Sequence, residues 1–260
     1  LIVTDQIGHQ ITLKNTPKRI ISLVPSQTEL LYDLGLNGQV VGITKFCNHP
    51  NEWFKTKNRV GGTKTVNFEK VGALKPDLII ANKEENTQSE IEELQKLYPV
   101  YTSDINNLND SFDMIKTIGK ITDAQIQTTA LIHQIKTDFE KLKPLQPSKS
   151  VLYFIWQQPF MSIGTDTFIN DMLTRCGFKN ALTDKTRYPE LTEKQIKTIN
   201  PDLIFLSSEP FPFKEKHINT FQQICPQAKV VLVDGEMFSW YGSRLTKAKD
   251  YFVDLIKKLA

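Results

Sequence analysis

Apolar residues gather along this chain in short runs, separated by turn-forming and charged stretches. Ile2 to Leu13 alternates loosely around Gly8, as a short hairpin would, and Arg19-Ile-Ile-Ser-Leu-Val24 is apolar enough to be a buried strand ending at Pro25. The period then changes. Leu30, Leu31 and Leu34 form one helical face from Gln27 to Leu34, Ser26 and Glu29 stand in the order of a capping box, and Gly35 closes the helix. Gln39 to Thr44 returns to strand character. Phe68 to Leu74 is helical and stops before Pro76, and Asp77 to Ala81 is a strand again. The continuing alternation predicts an α/β fold, with parallel sheets covered by helices.

The pattern repeats about half a chain later. Glu69-Lys70 precedes Pro76-Asp77-Leu78-Ile79, and Glu193-Lys194 precedes Pro201-Asp202-Leu203-Ile204. Upstream of the second copy, Ser150 to Ile155 and Thr167 to Arg175 repeat the strand and helix that precede the first. Between the copies Asp123 to Lys143 contains no Gly or Pro and carries Ile126, Leu131, Ile135, Phe139 and Leu142 at helical spacings. Thr122 with Gln125 suggests a capping box at its start, and Pro144 blocks its extension. At about 1.5 Å per residue it would span roughly 31 Å, a stiff strut that predicts small relative movement. The expectation is two Rossmann-like lobes with central parallel sheets, residues 1–121 and 144–260, joined by one long backbone helix over 122–143.

Composition narrows the function. With 260 residues, 40% hydrophobic and 23% charged, the chain can bury a core without disulfides. The net charge of +3 comes from basic residues spread along the sequence, so nucleic acid is not the expected partner. The longest apolar run, Val151 to Trp156, is far shorter than the roughly 20 residues of a membrane-spanning helix. Cys47, Cys176 and Cys225 show no metal-binding spacing and leave open whether Cys176 pairs with Cys225.

No G-x-S-x-G, H-E-x-x-H or phosphate-loop motif occurs, and neither a catalytic residue nor a resident metal is assigned. Gly61-Gly62-Thr63-Lys64 reads as a turn with a solvated lysine. The histidines are scattered, and Cys47 with His49 and Glu52 is the one local cluster of ligand-type side chains. An enzyme using Cys47 and His49 as a reactive pair is therefore an alternative, as is a sensor domain. Aromatic residues, by contrast, follow strand after strand: Phe46, Trp156, Phe211 with Phe213, and Trp240 with Tyr241. Loops at the carboxyl ends of strands form the ligand crevice of open α/β sheets, so these rings suggest a site that grips by surface area. Lys45, Arg187 and Arg244 occupy the same loops and would meet acidic groups of a ligand.

Thr4-Asp-Gln-Ile-Gly8, Pro17 through Glu29 and Asn67 through Ile79 together resemble the substrate-binding proteins of ABC importers for cobalamin and ferric siderophores, and the likeness runs over nearly the whole chain. The resemblance implies two α/β lobes, joined by one long helix, that hold a small-molecule metal chelate in the cleft between them. The chelate would be cargo rather than a cofactor. Exposed glutamates, one per lobe, would dock on arginines of the membrane permease, and they fall on Glu69 and Glu193. Phe46 stands where cobalamin binders of this family carry an aromatic; Thr63 stands where they carry a tryptophan, and Gly235 through Arg244 also differs from theirs. A siderophore or haem thus stays open beside cobalamin, with Tyr188, Tyr241 or His49 as candidate iron ligands for haem. The resemblance further implies a monomer outside the cytoplasm, periplasmic or held by a lipid anchor beyond this sequence.

Overall fold

The computed structural model describes residues 1–260. The chain forms two compact units. The first comprises Leu1–Ile105, Asn109–Gln134 and Tyr241–Arg244; the second comprises Asn106–Leu108, Ile135–Trp240 and Leu245–Ala260.

The first unit opens on the antiparallel hairpin β1 (Ile2–Thr4) and β2 (Gln10–Thr12). There follow β3 (Ile20–Ser22), α1 (Pro25–Asp33), β4 (Val40–Ile43), α2 (Asn51–Thr56), β5 (Asn58–Arg59), α3 (Phe68–Leu74), β6 (Leu78–Asn82), α4 (Gln88–Gln95) and β7 (Val100–Ser103). Their sheet has the order β5-β4-β3-β6-β7, parallel throughout. Every residue of β3, β6 and β7 is buried, as expected where helices cover both faces of a parallel sheet. Ile21, Leu23, Val71, Ile79 and Leu94 are among the side chains of this core.

Helix α5 (Leu108–Thr122) precedes α6 (Gln125–Glu140). Thr122 therefore ends one helix rather than capping the next, and its hydroxyl donates to the Ile118 carbonyl. Asp123, at φ 60°, turns the chain between them. The strut expected over 123–143 is shorter than its apolar spacing suggests: sixteen residues, about 24 Å at 1.5 Å per residue. The boundary between the units falls inside it, after Gln134.

The second unit contains β8 (Ser150–Trp156), β9 (Phe160–Ser162), α7 (Phe168–Arg175), β10 (Lys179–Asn180), β11 (Glu190–Leu191), α8 (Glu193–Ile199), β12 (Leu203–Ser207), α9 (Glu215–Ile224), β13 (Lys229–Val233), α10 (Gly235–Ser239) and α11 (Leu245–Leu259). The sheet order is β11-β9-β8-β12-β13, with β10 also pairing β8. Strands β8, β10, β12 and β13 are parallel, whereas β9 folds back antiparallel on β8 and carries β11. The central strands are parallel, as expected, and the sheet becomes mixed on one side, because the chain turns back directly after Trp156 instead of crossing over through a helix.

The sequence repeat has a structural basis in both units. Asn67 caps α3 by accepting from the Lys70 amide, and Thr192 with Gln195 forms a capping box on α8. Both helices end left-handed, at Lys75 (φ 45°, ψ 60°) and Asn200 (φ 45°, ψ 63°). The Asp after each proline then ties the junction to the start of its sheet's central strand. Asp77 accepts from the Lys18 and Arg19 amides, each at 2.8 Å, and Asp202 accepts from the Ser150 amide at 2.7 Å and its hydroxyl at 2.8 Å.

The capping box expected at Ser26 and Glu29 does not form. Pro25 starts α1, Val24 is its N-cap without a side-chain bond, and both Ser26 and Glu29 are buried. Proline at the first position needs no capped amide there, which leaves Glu29 available for another partner.

Candidate ligand-binding site

In the first unit the chain leaves β4 through Thr44 and presents Phe46, which is 48% exposed. The Lys45 ammonium lies 5.1 Å from the centre of the Phe46 ring. Behind the ring is Gly62, where a Cβ would come within 3.2 Å of Phe46 Cε2. Gly61, at φ 112°, could not carry a side chain at all, since its Cβ would meet the Thr65 carbonyl at 2.4 Å. The glycine pair therefore forms a tight turn that supports the Phe46 loop. Lys64 is not merely solvated, because its ammonium donates to the Glu84 carbonyl at 2.5 Å. Thr63 is half-buried, and its carbonyl accepts from Asn86 Nδ2 at 2.9 Å.

Cys47 is fully buried next to this loop, with Thr28 Oγ1 at 3.1 Å and Thr44 Oγ1 at 3.2 Å from its sulfur. Burial pushes its thiol pKa up, opposite to what a nucleophilic cysteine needs. Cys176 and Cys225 are also buried and are free thiols, so the open question of their pairing resolves against a disulfide. No group of three or more His, Cys, Asp or Glu side chains is arranged to hold a metal ion.

In the second unit Trp156 ends β8 at 40% exposure. Its ring meets Phe211 edge-on at 5.6 Å, and its Nε1 donates to the Gln158 carbonyl at 3.0 Å. Phe213, expected beside it as a loop ring, is instead 5% exposed in the hydrophobic core with Phe154 and Phe221, and the Phe211 ring packs against it at 4.7 Å on the outer side of the same core. Arg187 and Tyr188 lie on the loop between β10 and β11. Arg187 takes φ 57°; its amide donates to Asp166 at 2.5 Å and its carbonyl accepts from Gly164 at 2.6 Å. A non-glycine residue held left-handed costs about 1–3 kcal/mol, and such strain collects at ligand-binding loops. The Arg187 guanidinium lies 5.6 Å from the Tyr188 ring centre and 3.9 Å from Asp166 Oδ2.

Three expected ligand residues are buried, and two of them are held by acids. Trp240 is 7% exposed, and its Nε1 donates to Glu209 Oε1 at 2.9 Å. Tyr241 is 6% exposed. Arg244 is buried and grips Glu29 with two hydrogen bonds, at 2.8 and 2.9 Å. Sequence spacing placed these side chains after a strand, but it does not show that Glu209 waits for Trp240 and Glu29 for Arg244. The detectable signal was Glu29 itself, an acid directly before the apolar pair Leu30 and Leu31.

Glu69 and Glu193 are exposed in the first turns of α3 and α8, at matching places in the two copies of the repeat.

Residues 20–224 match a known protein family described as periplasmic binding protein. A relative 34% identical over 213 residues, covering 78% of this chain and 67% of its own length, is the uncharacterized ABC transporter substrate-binding lipoprotein YvrC of Bacillus subtilis. The vitamin B12-binding protein of Pectobacterium atrosepticum is 28% identical over 258 residues, 94% of this chain and 90% of its own. Among solved structures, a possible iron-binding, periplasmic solute-binding protein from Staphylococcus epidermidis superposes with a TM-score of 0.77 at 25% identity, over 94% of this chain and 99% of that one. A match over most of the chain, joined to the doubled α/β architecture and the exposed rings at strand ends, establishes that this chain belongs to the periplasmic binding protein family.

Proposed function

We propose that this periplasmic binding protein serves an ABC importer as the receptor for a metal chelate: cobalamin, a ferric siderophore or haem. The observation that carries the reading is the pair of large exposed rings, Phe46 and Trp156, each at the carboxyl end of a strand in its own unit. A protein that places flat apolar surface there, with no cluster of metal-ligating side chains, is suited to a metal that arrives already chelated. Burying such a ring contributes roughly 2–3 kcal/mol gross at about 25 cal/mol per Å², so two rings supply a large part of the roughly 8 kcal/mol of a micromolar complex.

Lys45 and Arg187 would meet carboxylates or phosphates at the chelate's edge, with Thr63 and Tyr188 beside them. The chelate is cargo, so no resident cofactor belongs to this reading. The names of the relatives support it, since one binds vitamin B12 and another is described as a possible iron binder. The exposed Glu69 and Glu193 would dock on basic pockets of the membrane permease, as the family resemblance implies. A lipid anchor like that of the Bacillus relative would keep the receptor at the outer face of the membrane. The enzyme alternative loses its main support, because the buried Cys47 thiol is held protonated.

The test is equilibrium binding to cobalamin, haem and a panel of ferric siderophores, followed by quenching of tryptophan fluorescence. Saturable, stoichiometric binding of one of them without product formation is expected. Failure with all three classes would overturn the reading.

A further inference from the structure

The second unit carries a basic face that neither the chelate nor the permease contact uses. Its strands β10, β8, β12 and β13 start side by side: Lys179 is paired with Ser150, Leu203 with Val151, and Lys229 with Leu203. At about 4.8 Å between strands, this row is roughly 14 Å wide. Lys179 and Lys229 stand at its two ends, both exposed. Lys149, next to Ser150, donates through Nζ to the Leu259 carbonyl and so brings the last turn of α11, with the exposed Lys257 and Lys258, to the same edge. The Leu145 amide donates to the Cys176 carbonyl at 2.8 Å, which adds Lys143, also exposed.

Acids are scarce here. The segments 143–150, 177–180, 200–203, 226–230 and 255–260 contain these six lysines and one acid, Asp202, whose Oδ2 is taken by the Ser150 amide and hydroxyl. Asp254, on α11, stands 3.6 Å from Lys257. Helix dipoles account for Lys257 and Lys258 in the last turn of α11, but not for Lys149, Lys179 and Lys229, which stand at strand starts. Helices α7, α8, α9 and α11 reach this edge with their carbonyl ends, so it has no cradle of free helix amides for a single phosphate. The segments contain no arginine, and their one aromatic ring, Phe178, is buried, whereas protein interfaces are enriched in arginine and aromatics and depleted in lysine. Flexible lysines spread along an open edge match diffuse negative charge, such as that of a lipid surface.

We propose that this face rests on anionic phospholipid at the outer surface of the membrane. Trp156 ends β8 about 20 Å from Ser150, and Glu193 starts α8, whose other end reaches the lysine edge at Asn200. Both are therefore held away from the lipid. The lipid-bound receptor keeps the Trp156 loop open to solvent, and it lifts from the lipid to present Glu193 to the permease. Lipid contact of this kind depends on the location of the receptor beside the membrane and not on which chelate it carries, so chelate binding in solution and vesicle binding succeed or fail separately.

The test is co-sedimentation of the full chain with vesicles of phosphatidylcholine alone or with about 30% phosphatidylglycerol, at about 0.1 M and about 0.5 M sodium chloride. Binding to the anionic vesicles should be at least about tenfold stronger at the lower salt and should disappear at the higher. Each lysine near an anionic surface contributes about a fivefold factor, so Lys179→Gln combined with Lys229→Gln should weaken binding by about 25-fold. Lys185→Gln combined with Lys216→Gln removes the same charge from the carboxyl ends of the sheet, beyond the roughly 10 Å screening length, and should leave binding within about twofold. Equal binding to both kinds of vesicle, binding that survives the higher salt, an equal loss in the Lys185 and Lys216 pair, or capture of polyglutamate but not of vesicles would each overturn the proposal.

Discussion

Arg244 and Glu29, 215 positions apart in sequence, close a two-pronged ion pair in which Nε donates to Oε2 at 2.8 Å and Nη2 to Oε1 at 2.9 Å. Both side chains are less than a tenth exposed, so the contact is that of a buried pair rather than of a surface salt bridge. It fixes the segment Tyr241–Arg244 to α1 within the first unit, helped by the Ser111 hydroxyl, which donates to the Tyr241 carbonyl at 3.2 Å. Gly242 lets the segment come this close, since a Cβ there would sit 3.0 Å from the Ser26 carbonyl.

Removing one member of such a pair leaves a buried charge stripped of two strong hydrogen bonds. Arg244→Met should therefore lower unfolding free energy by about 3–5 kcal/mol, read from urea denaturation. Combining it with Glu29→Gln should recover much of the loss, because neither charge then remains. A double variant as unstable as the sum of the single ones would contradict the structural role assigned to the pair.

Phe46→Ala and Trp156→Ala test the ligand surface. The rings are partly exposed and not core members, so neither truncation should cost more than about 1 kcal/mol of stability, whereas each should weaken chelate binding by about 10- to 30-fold. Calorimetric titration and thermal melts of the same samples separate the two effects. Large destabilisation with unchanged affinity would move the site elsewhere.

The α/β alternation and the doubling of the chain were legible because they rest on local chemistry. Asn67 and Thr192 cap the two equivalent helices, and Asp77 and Asp202 recur because each pins the same helix-to-strand junction. The break between α5 and α6 was not legible. Gly119 inside α5 looks like a weak point, yet it is where the helices touch: a Cβ there would lie 2.2 Å from Thr128 Oγ1. The exposed rings Phe46 and Trp156 and the buried rings Phe213 and Trp240 look alike in sequence, since all follow strands. What separates them is a long-range partner, Glu209 for Trp240 and the Phe154–Phe221 core for Phe213, which no local pattern encodes.

Glu209 makes a pH-dependent contribution that can be isolated. Burial raises its pKa above the ordinary 4.5, while the Ser239 hydroxyl at 2.5 Å and the Trp240 indole at 2.9 Å act against the rise. A carboxyl whose pKa is higher in the folded than in the unfolded chain binds more protons when folded. Its contribution is complete below the unfolded value and declines as pH rises through the folded one. Glu209→Gln should therefore flatten the fall in the urea midpoint from about pH 4.5 toward neutrality, relative to the wild type. Parallel curves for the two proteins would show that Glu209 does not titrate in this window.

Glu69 and Glu193 are exposed acids at helix starts, where the dipole favours negative charge by only about 0.3–1 kcal/mol each. Reversing both to Lys should thus lower the melting temperature slightly and leave chelate affinity as it was, because neither residue lies on the Phe46 or Trp156 loops. Uptake through the cognate permease should fall at least tenfold, since two attractive contacts become repulsive against basic pockets. The comparison that isolates docking is Glu140→Lys, a charge reversal at an exposed position at the end of α6, which should transport normally. If the Glu69→Lys, Glu193→Lys protein binds its chelate and transports at the wild-type rate, the two acids serve only their helices and the permease recognises another surface.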